Sequence, residues 1–267
     1  MLELYHGEPN TFSLKPLIAL GEKQAAFKSH SVDVESPAAA AALADSGTLV
    51  ADATEAASQL EHNAPVLLAD GHAIVGTYLM LEYLAEALPG LALLPESAAD
   101  RYAARALGQY LGASLGAIVP VLGCVKYLLP KLLARSRAQL QADIDSIALL
   151  ERRLGWNALL DGTYSAANLD AARARLAAPI QRIEQRLKSH SWLAGATYSI
   201  ADIDAFCMLR VVPDLAPASL NLAVAPATMD WLQRIERRTA VTAALMFART
   251  THPEQQFAPG LEASRWG

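Results

Sequence analysis

The sequence predicts a small α+β domain followed by an all-helical one. Three observations carry that reading. Strand and helix signals alternate through residue 88, strand signals vanish after Pro89-Gly90 and Leu94-Pro95, and the rest of the chain is a succession of helical patterns. The predicted domains are residues 1–88 and 97–267, joined by a linker over Pro89–Ser97.

The first half opens on an alternating strand, Leu2–Tyr5, and a helix over Leu14–Lys23. Pro16 falls in the first turn of that helix, where its missing N–H does no harm. Phe27–Val34 alternates as a second strand, and the Ala-rich Pro37–Leu43 reads as helical. Asp45–Asn63 is longer than a usual connection and has room for a short helix. Ala64-Pro65-Val66-Leu67 is a short apolar strand, followed by an Asp70-Gly71 turn and the strand His72–Val75, which makes a hairpin. A helix over Thr77–Ala87 packs behind it. In the second half, helices are expected over Asp100–Leu115, Lys131–Leu154, Asp170–Ser189, Ile200–Val212 and Met229–Phe247.

Composition removes several function classes. The 267-residue chain is 53% hydrophobic and 18% charged, so it can bury cores and is not a disordered segment. A net charge of −5 without a basic cluster argues against a nucleic-acid partner. The chain opens on a strand rather than a basic and apolar leader, so a cytoplasmic location is expected. Cys124 and Cys207 lie far apart without metal spacing and read as buried free thiols of a reducing compartment. The six histidines lack ligand spacing, so no metal is expected. The apolar run Ala106–Pro130 is long enough to span a bilayer, but Pro120 interrupts it, Lys126 lies inside it and no aromatic belts flank it. It reads as a buried or subunit-facing helix rather than a membrane span. Gly108, Gly112 and Gly116 place a smooth stripe on one of its faces, suited to a close helix–helix contact.

Two short constellations carry chemistry or its framework. The loop His6-Gly7-Glu8-Pro9-Asn10-Thr11-Phe12-Ser13 delivers a strand to a helix N-terminus, where free N–H groups and the macrodipole favour negative charge. A thiolate held there would have its pKa lowered. Ser13 is the best-placed hydroxyl donor, with Thr11 and Asn10 behind it and His6 beside the loop. The residues alone leave two roles open for Ser13, thiolate donor or helix cap. The second constellation, Tyr198-Ser199-Ile200-Ala201-Asp202, has capping-box spacing and reads as structural, Tyr198 and Asp202 included.

With Pro65 and the Ser199–Asp202 box in place, the chain resembles the glutathione transferase superfamily. That implies a thioredoxin-like glutathione-binding half and an all-helical half that supplies substrate contacts and a dimer surface. Leu4-Tyr5, the eight loop residues and Ser13-Leu14-Lys15-Pro16 resemble the Ser-Leu-Lys-Pro signature of one bacterial β-etherase branch. A helical extension with Glu151-Arg152-Arg153 and Trp156 points the same way. β-Etherases cleave β-aryl ethers of lignin-derived aromatics by attack of the glutathione thiolate. The resemblance therefore implies Ser13 as the catalytic residue. It implies Asn10, Thr11, Pro65, Val66, Gly76 and Thr77 as the glutathione contacts, and an aromatic ether as substrate. Tyr110, Tyr127 and Trp156 are candidate pocket walls, and Phe257 and Trp266 could pack back over the pocket.

Two positions depart from the family pattern. Phe12 stands where this branch carries an Asn, and Gly76-Thr77 replaces the Glu-Ser pair that holds the γ-glutamyl end. The missing carboxylate removes one charge-assisted hydrogen bond, roughly 1.5–3 kcal/mol or about ten- to a hundredfold in affinity. Two functions follow as expectations. One is a self-sufficient β-etherase. The other is a mainly structural subunit paired with a related catalytic transferase, in a homodimer or a heterodimer.

Overall fold

A computed structural model describes residues 1–37, 65–147 and 150–259. The expected helix Pro37–Leu43 (beyond Pro37), the stretch Asp45–Asn63 and Trp266 lie outside the described residues.

A four-stranded sheet, ordered β2-β1-β3-β4, is built from β1 (Leu2–His6), β2 (Lys28–Ser31), β3 (Val66–Ala69) and β4 (His72–Ile74). β2 runs parallel to β1, whereas β3 runs antiparallel to it with Tyr5 opposite Val66. β3 and β4 form the expected hairpin. Asp70 and Gly71 take φ of 50° and 87°, the paired left-handed conformation that matches the twist of the flanking strands. α1 (Leu14–Glu22) joins β1 to β2, and α2 (Thr77–Ala87) follows β4 with the predicted bounds.

Among the described residues, the later helices and turns follow one another with only an isolated Trp192–Gly195 bridge between them. α3 (Ala98–Gly123) leads through one π-helical turn (Cys124–Leu128) into α4 (Leu129–Leu133). There follow α5 (Arg137–Asp145), α6 (Leu150–Leu160), α7 (Ala166–Arg175), α8 (Ala177–Leu187), α9 (Ile200–Leu209), the short α10 (Val212–Leu215), α11 (Pro226–Glu236) and α12 (Thr239–Leu245). One continuous apolar core joins the sheet-bearing half to the helices, from Leu4, Leu17 and Met80 through Leu115 and Ile118 to Ile203, Phe206 and Trp231. α12 lies against α1, where a Cβ on Gly21 would meet Ala240 at 3.2 Å, a tight approach that glycine eases.

The structure corrects several sequence expectations. Pro120 does not end its helix; it sits inside α3, and the axis continues through the π turn. A proline forfeits one helical hydrogen bond, here the one to the Gly116 carbonyl, and the helix runs on past that defect. The 98–133 run is apolar and long enough to cross a bilayer, yet 56% of its most apolar window is buried in the fold, as befits a core helix. Lys131–Leu154, expected as one helix, is divided at Ser136 and again after Asp145. Asp170–Ser189 is two helices meeting at Leu176, with Pro179 in the first turn of the second. Met229–Phe247 is divided at Arg238, whose backbone is extended and whose guanidinium grips both Glu22 oxygens on α1 at 2.5 and 2.9 Å.

The glycine stripe is not a uniform helix–helix seam. Gly108 receives the ring of Tyr78 from the same chain, Gly116 lies near Met208, and Gly112 faces open space.

Candidate functional site

Antiparallel pairing of β1 and β3 brings the end of β1 beside the start of β3. The loop after His6 therefore lies next to Pro65 and Val66. Val66 pairs with Tyr5 on one side, while the β4 ladder ends at the Leu67–Ile74 pair on the other. Its main chain thus lies beyond that ladder. The N-terminus of α2 joins the group through Lys15, whose ammonium lies 3.4 Å from the Thr77 hydroxyl oxygen. The sheet topology therefore gathers Asn10, Thr11, Ser13, Pro65, Val66 and Thr77 at one end of the sheet.

Within the loop, the helix cap is Asn10 rather than Ser13. The Asn10 Oδ1 accepts from the amides of Phe12 and Ser13 at 3.0 and 2.8 Å. Ser13 is fully buried, and its Oγ accepts the Gly7 N–H at 3.0 Å without bonding into its own helix. Thr11 is buried with its hydroxyl lacking a hydrogen-bond partner. Phe12 is half-buried, and the Lys15 ammonium lies 5.4 Å from its ring centroid. Gly76 is exposed with φ of 82°, a backbone that a side chain strains, and α2 has no side-chain cap. Its first amides are open to an acceptor from outside the helix. Reinstating a carboxylate at position 76 therefore meets a backbone cost as well as a change of charge.

Sequence reasoning missed the charged residues that hold this end together. Lys15 makes a 2.7 Å ion pair with Asp204 of α9, with both side chains almost completely buried. A lysine in a helix otherwise buried from Leu14 to Leu20, and an aspartate inside the wholly buried α9, are the signals that each needed a partner. Glu8 is also buried, and its carboxylate meets Arg249 and Thr250 near the end of the described chain. His6 is buried with Nε2 2.8 Å from Ser29 Oγ and Nδ1 2.6 Å from the Gly7 oxygen. Burial is the main cause that lowers its pKa below the usual histidine value.

The candidate pocket walls separate. Trp156 is buried in the helical core, and Tyr110 is covered by the Arg182 guanidinium at 4.3 Å. Tyr127, on the π turn, stacks on Phe257, and its hydroxyl is buried without a hydrogen-bond partner. A cavity of about 380 Å³ lies elsewhere, between α7, α8 and residues 218–225. Among the described residues no cluster of His, Cys, Asp or Glu is arranged to hold a metal ion. Both thiols are buried; burial pushes Cys207 up to about 12 and Cys124 higher still.

Residues 140–239 match the glutathione S-transferase C-terminal domain family. Among solved structures, the chain is similar to the β-etherase LigF from Sphingobium sp. strain SYK-6. The TM-score is 0.78 at 22% identity, covering 92% of this chain and 98% of that one. It is also similar to a glutathione S-transferase from Methylobacillus flagellatus KT with glutathione bound, with TM-score 0.62, 16% identity and coverage of 91% and 98%. A third is a glutathione transferase from Burkholderia graminis with two glutathione molecules per subunit, with TM-score 0.61, 21% identity and coverage of 91% and 87%. No curated protein matches the sequence. The chain has the glutathione transferase fold, a small mixed sheet followed by a helical domain, and resembles the β-etherases within it.

Proposed function

We propose that this chain is a β-etherase of the glutathione transferase type, or a subunit of one, acting in glutathione-dependent cleavage of β-aryl ethers. The observation that carries the reading is the convergence of the Ser13 loop, the Val66 main chain beyond the β4 ladder and the uncapped α2 N-terminus at one end of the sheet. These groups fit a peptide thiol: main chain for its backbone, α2 amides and the Thr77 hydroxyl for its carboxylate, and the Ser13 hydroxyl with the α1 dipole for its sulfur. When bound, glutathione supplies the nucleophilic thiolate. In this reading residues 1–88 hold the cofactor and residues 97–267 bound the aromatic substrate. Asn10, Thr11, Pro65 and Gly76 shape the cofactor side.

The work left to this chain is to orient the thiol, stabilise its ionised form and exclude water, because the phenolate leaves readily. Lys15 offers its ammonium to the Thr77 hydroxyl oxygen, which leaves the hydroxyl proton free for an acceptor. Exposed Leu79 and Tyr102, on α2 and α3, support a subunit surface for a homodimer or heterodimer. A cytoplasmic location accords with the reduced, buried cysteines.

A second reading, a non-catalytic subunit, is favoured by one specific feature: Ser13 is fully buried and its Oγ is already engaged by the Gly7 N–H. Calorimetric titration of glutathione into the purified chain separates the two. Binding in the micromolar to low millimolar range, followed by phenol release from a β-aryl ether that falls in Ser13→Ala, upholds the enzyme. The absence of heat at high glutathione leaves the structural subunit.

A further inference from the structure

We infer that residues 249–257 form a strap, latched on the buried Glu8 carboxylate, which closes the Ser13 loop and must lift before a peptide-sized thiol reaches it. The inference rests on the reading above only in naming the thiol as the ligand.

The strap is attached at three points. At its start, Glu8 Oε2 accepts from the Arg249 and Thr250 amides at 2.9 and 3.3 Å and from the Thr250 hydroxyl at 3.3 Å. Glu8 Oε1 accepts from the Arg249 guanidinium at 3.1 Å. Near its end, Gln256 Oε1 accepts the Glu8 N–H at 2.8 Å, occupying space that a Cβ on Gly7 would enter at 2.6 Å. Finally, Phe257 is 2% exposed, seated against Gly123, where a Cβ would lie 2.5 Å from its ring, and stacked on Tyr127. Gly7 is the residue whose N–H binds Ser13 Oγ, so the strap overlies the group to which the candidate catalytic hydroxyl is tied.

This attachment suits reversible opening. Beyond the 3₁₀ turn Pro253–Gln255 the strap carries no helix or strand, so it opens without dismantling a hydrogen-bonded element. Among the described residues, the donors to the buried Glu8 carboxylate all come from the strap's Arg249 and Thr250. When the strap lifts, water replaces those donors, and the carboxylate is not left buried and unpaired.

The test places a thiol at the covered position in the full chain, as Ser13→Cys, and follows its labelling by an aromatic disulfide reagent. Because Phe257 sits on Gly123 beside the buried Cys124, the parent chain and the Phe257→Ala and Gln256→Ala chains with Ser13 intact set the baseline. Labelling is expected to be slow in Ser13→Cys and to rise about tenfold or more when Phe257→Ala or the milder Gln256→Ala is added. Thermal melting confirms that each variant is folded, and Gln256→Ala carries the test if Phe257→Ala is not. Equal rates with and without the strap changes, or fast labelling in Ser13→Cys alone, overturn the strap. Glutathione titration of the Phe257→Ala and Gln256→Ala chains, with Ser13 intact, is read separately. Tighter binding than in the parent supports both inferences. Faster labelling with no glutathione binding in any chain keeps the strap and removes the glutathione reading.

Discussion

The junction before α9 and the junction before α1 both place a serine at the start of a buried helix, yet they are built in different ways. At α9 the Ser199 Oγ accepts from the helix amide of Ala201, and Asp202 Oδ2 returns to the Ser199 amide and hydroxyl. Asp202 Oδ1 takes the Leu193 amide and the Trp231 indole. Burial raises the Asp202 carboxyl and these hydrogen bonds oppose it, which leaves it raised to about 6. The unit closes almost entirely within ten residues. At α1 the serine caps nothing. Asn10 caps, Lys15 answers Asp204 in a distant helix, and Glu8 is held by the strap. A junction closed by its own neighbours belongs to the framework. One closed from across the chain can be opened by the element that closes it.

The comparison can be broken first at Lys15. Lys15→Met leaves Asp204 buried without its cation and is expected to cost about 3–5 kcal/mol in urea denaturation. Adding Asp204→Leu should restore most of that loss; a single variant as stable as the parent would show that the pair does not hold the two halves together. Next in size is Asp202→Ala, which strands the Leu193 and Ser199 amides and the Trp231 indole. At about 1–3 kcal/mol for each group left unsatisfied, partly relieved by water, the chain should lose several kcal/mol with no change specific to the Ser13 loop.

A smaller change sharpens the cap assignment. Asn10→Ala should cost about 1 kcal/mol and speed amide exchange at Phe12 and Ser13. Ser13→Ala should leave those two amides protected and release Gly7 instead. The reverse pattern would return the cap to Ser13.

The smallest effect is a pH slope. His6 has its folded pKa lowered below the ordinary histidine value of about 6.5, by burial first, with Arg249 and His30 acting the same way and the Gly7 carbonyl and Glu8 opposing. Below pH 6.5 the unfolded chain therefore binds more protons than the folded one at this residue. The stability this group contributes is present above 6.5 and lost as pH falls through 6.5 toward the folded value. His6→Gln should flatten the acid side of the melting-temperature profile. An unchanged slope would show that His6 does not titrate differently on folding.

Much of the fold was legible because its signals are local. Asp70-Gly71 specifies a hairpin turn through two left-handed residues, and Thr77–Ala87 has the observed bounds. The Ser199–Asp202 box closes as its spacing predicts. Helix divisions were less legible. Pro179 was visible in the sequence, but the extended backbone at Arg238 is held by Glu22, and no local pattern announces that partner. The proximity of Pro65, Val66, Thr77 and Ser13 was legible, because strand pairing and helix starts place them together. Their state was not. Whether Ser13 is open or covered depends on residues 249–257, whose sequence has no periodicity to reveal where they dock.

By itself the sequence determined the two unlike halves, the hairpin, the capping box and the absence of a carboxylate at position 76. Each follows from backbone preference or from interactions spanning a few residues. Tertiary structure decided the buried Lys15–Asp204 pair, the transfer of the cap to Asn10 and the closure of the Ser13 loop by Glu8, Gln256 and Phe257. Those outcomes need charges and rings from distant elements to share one dry space, and only the packed chain brings them there.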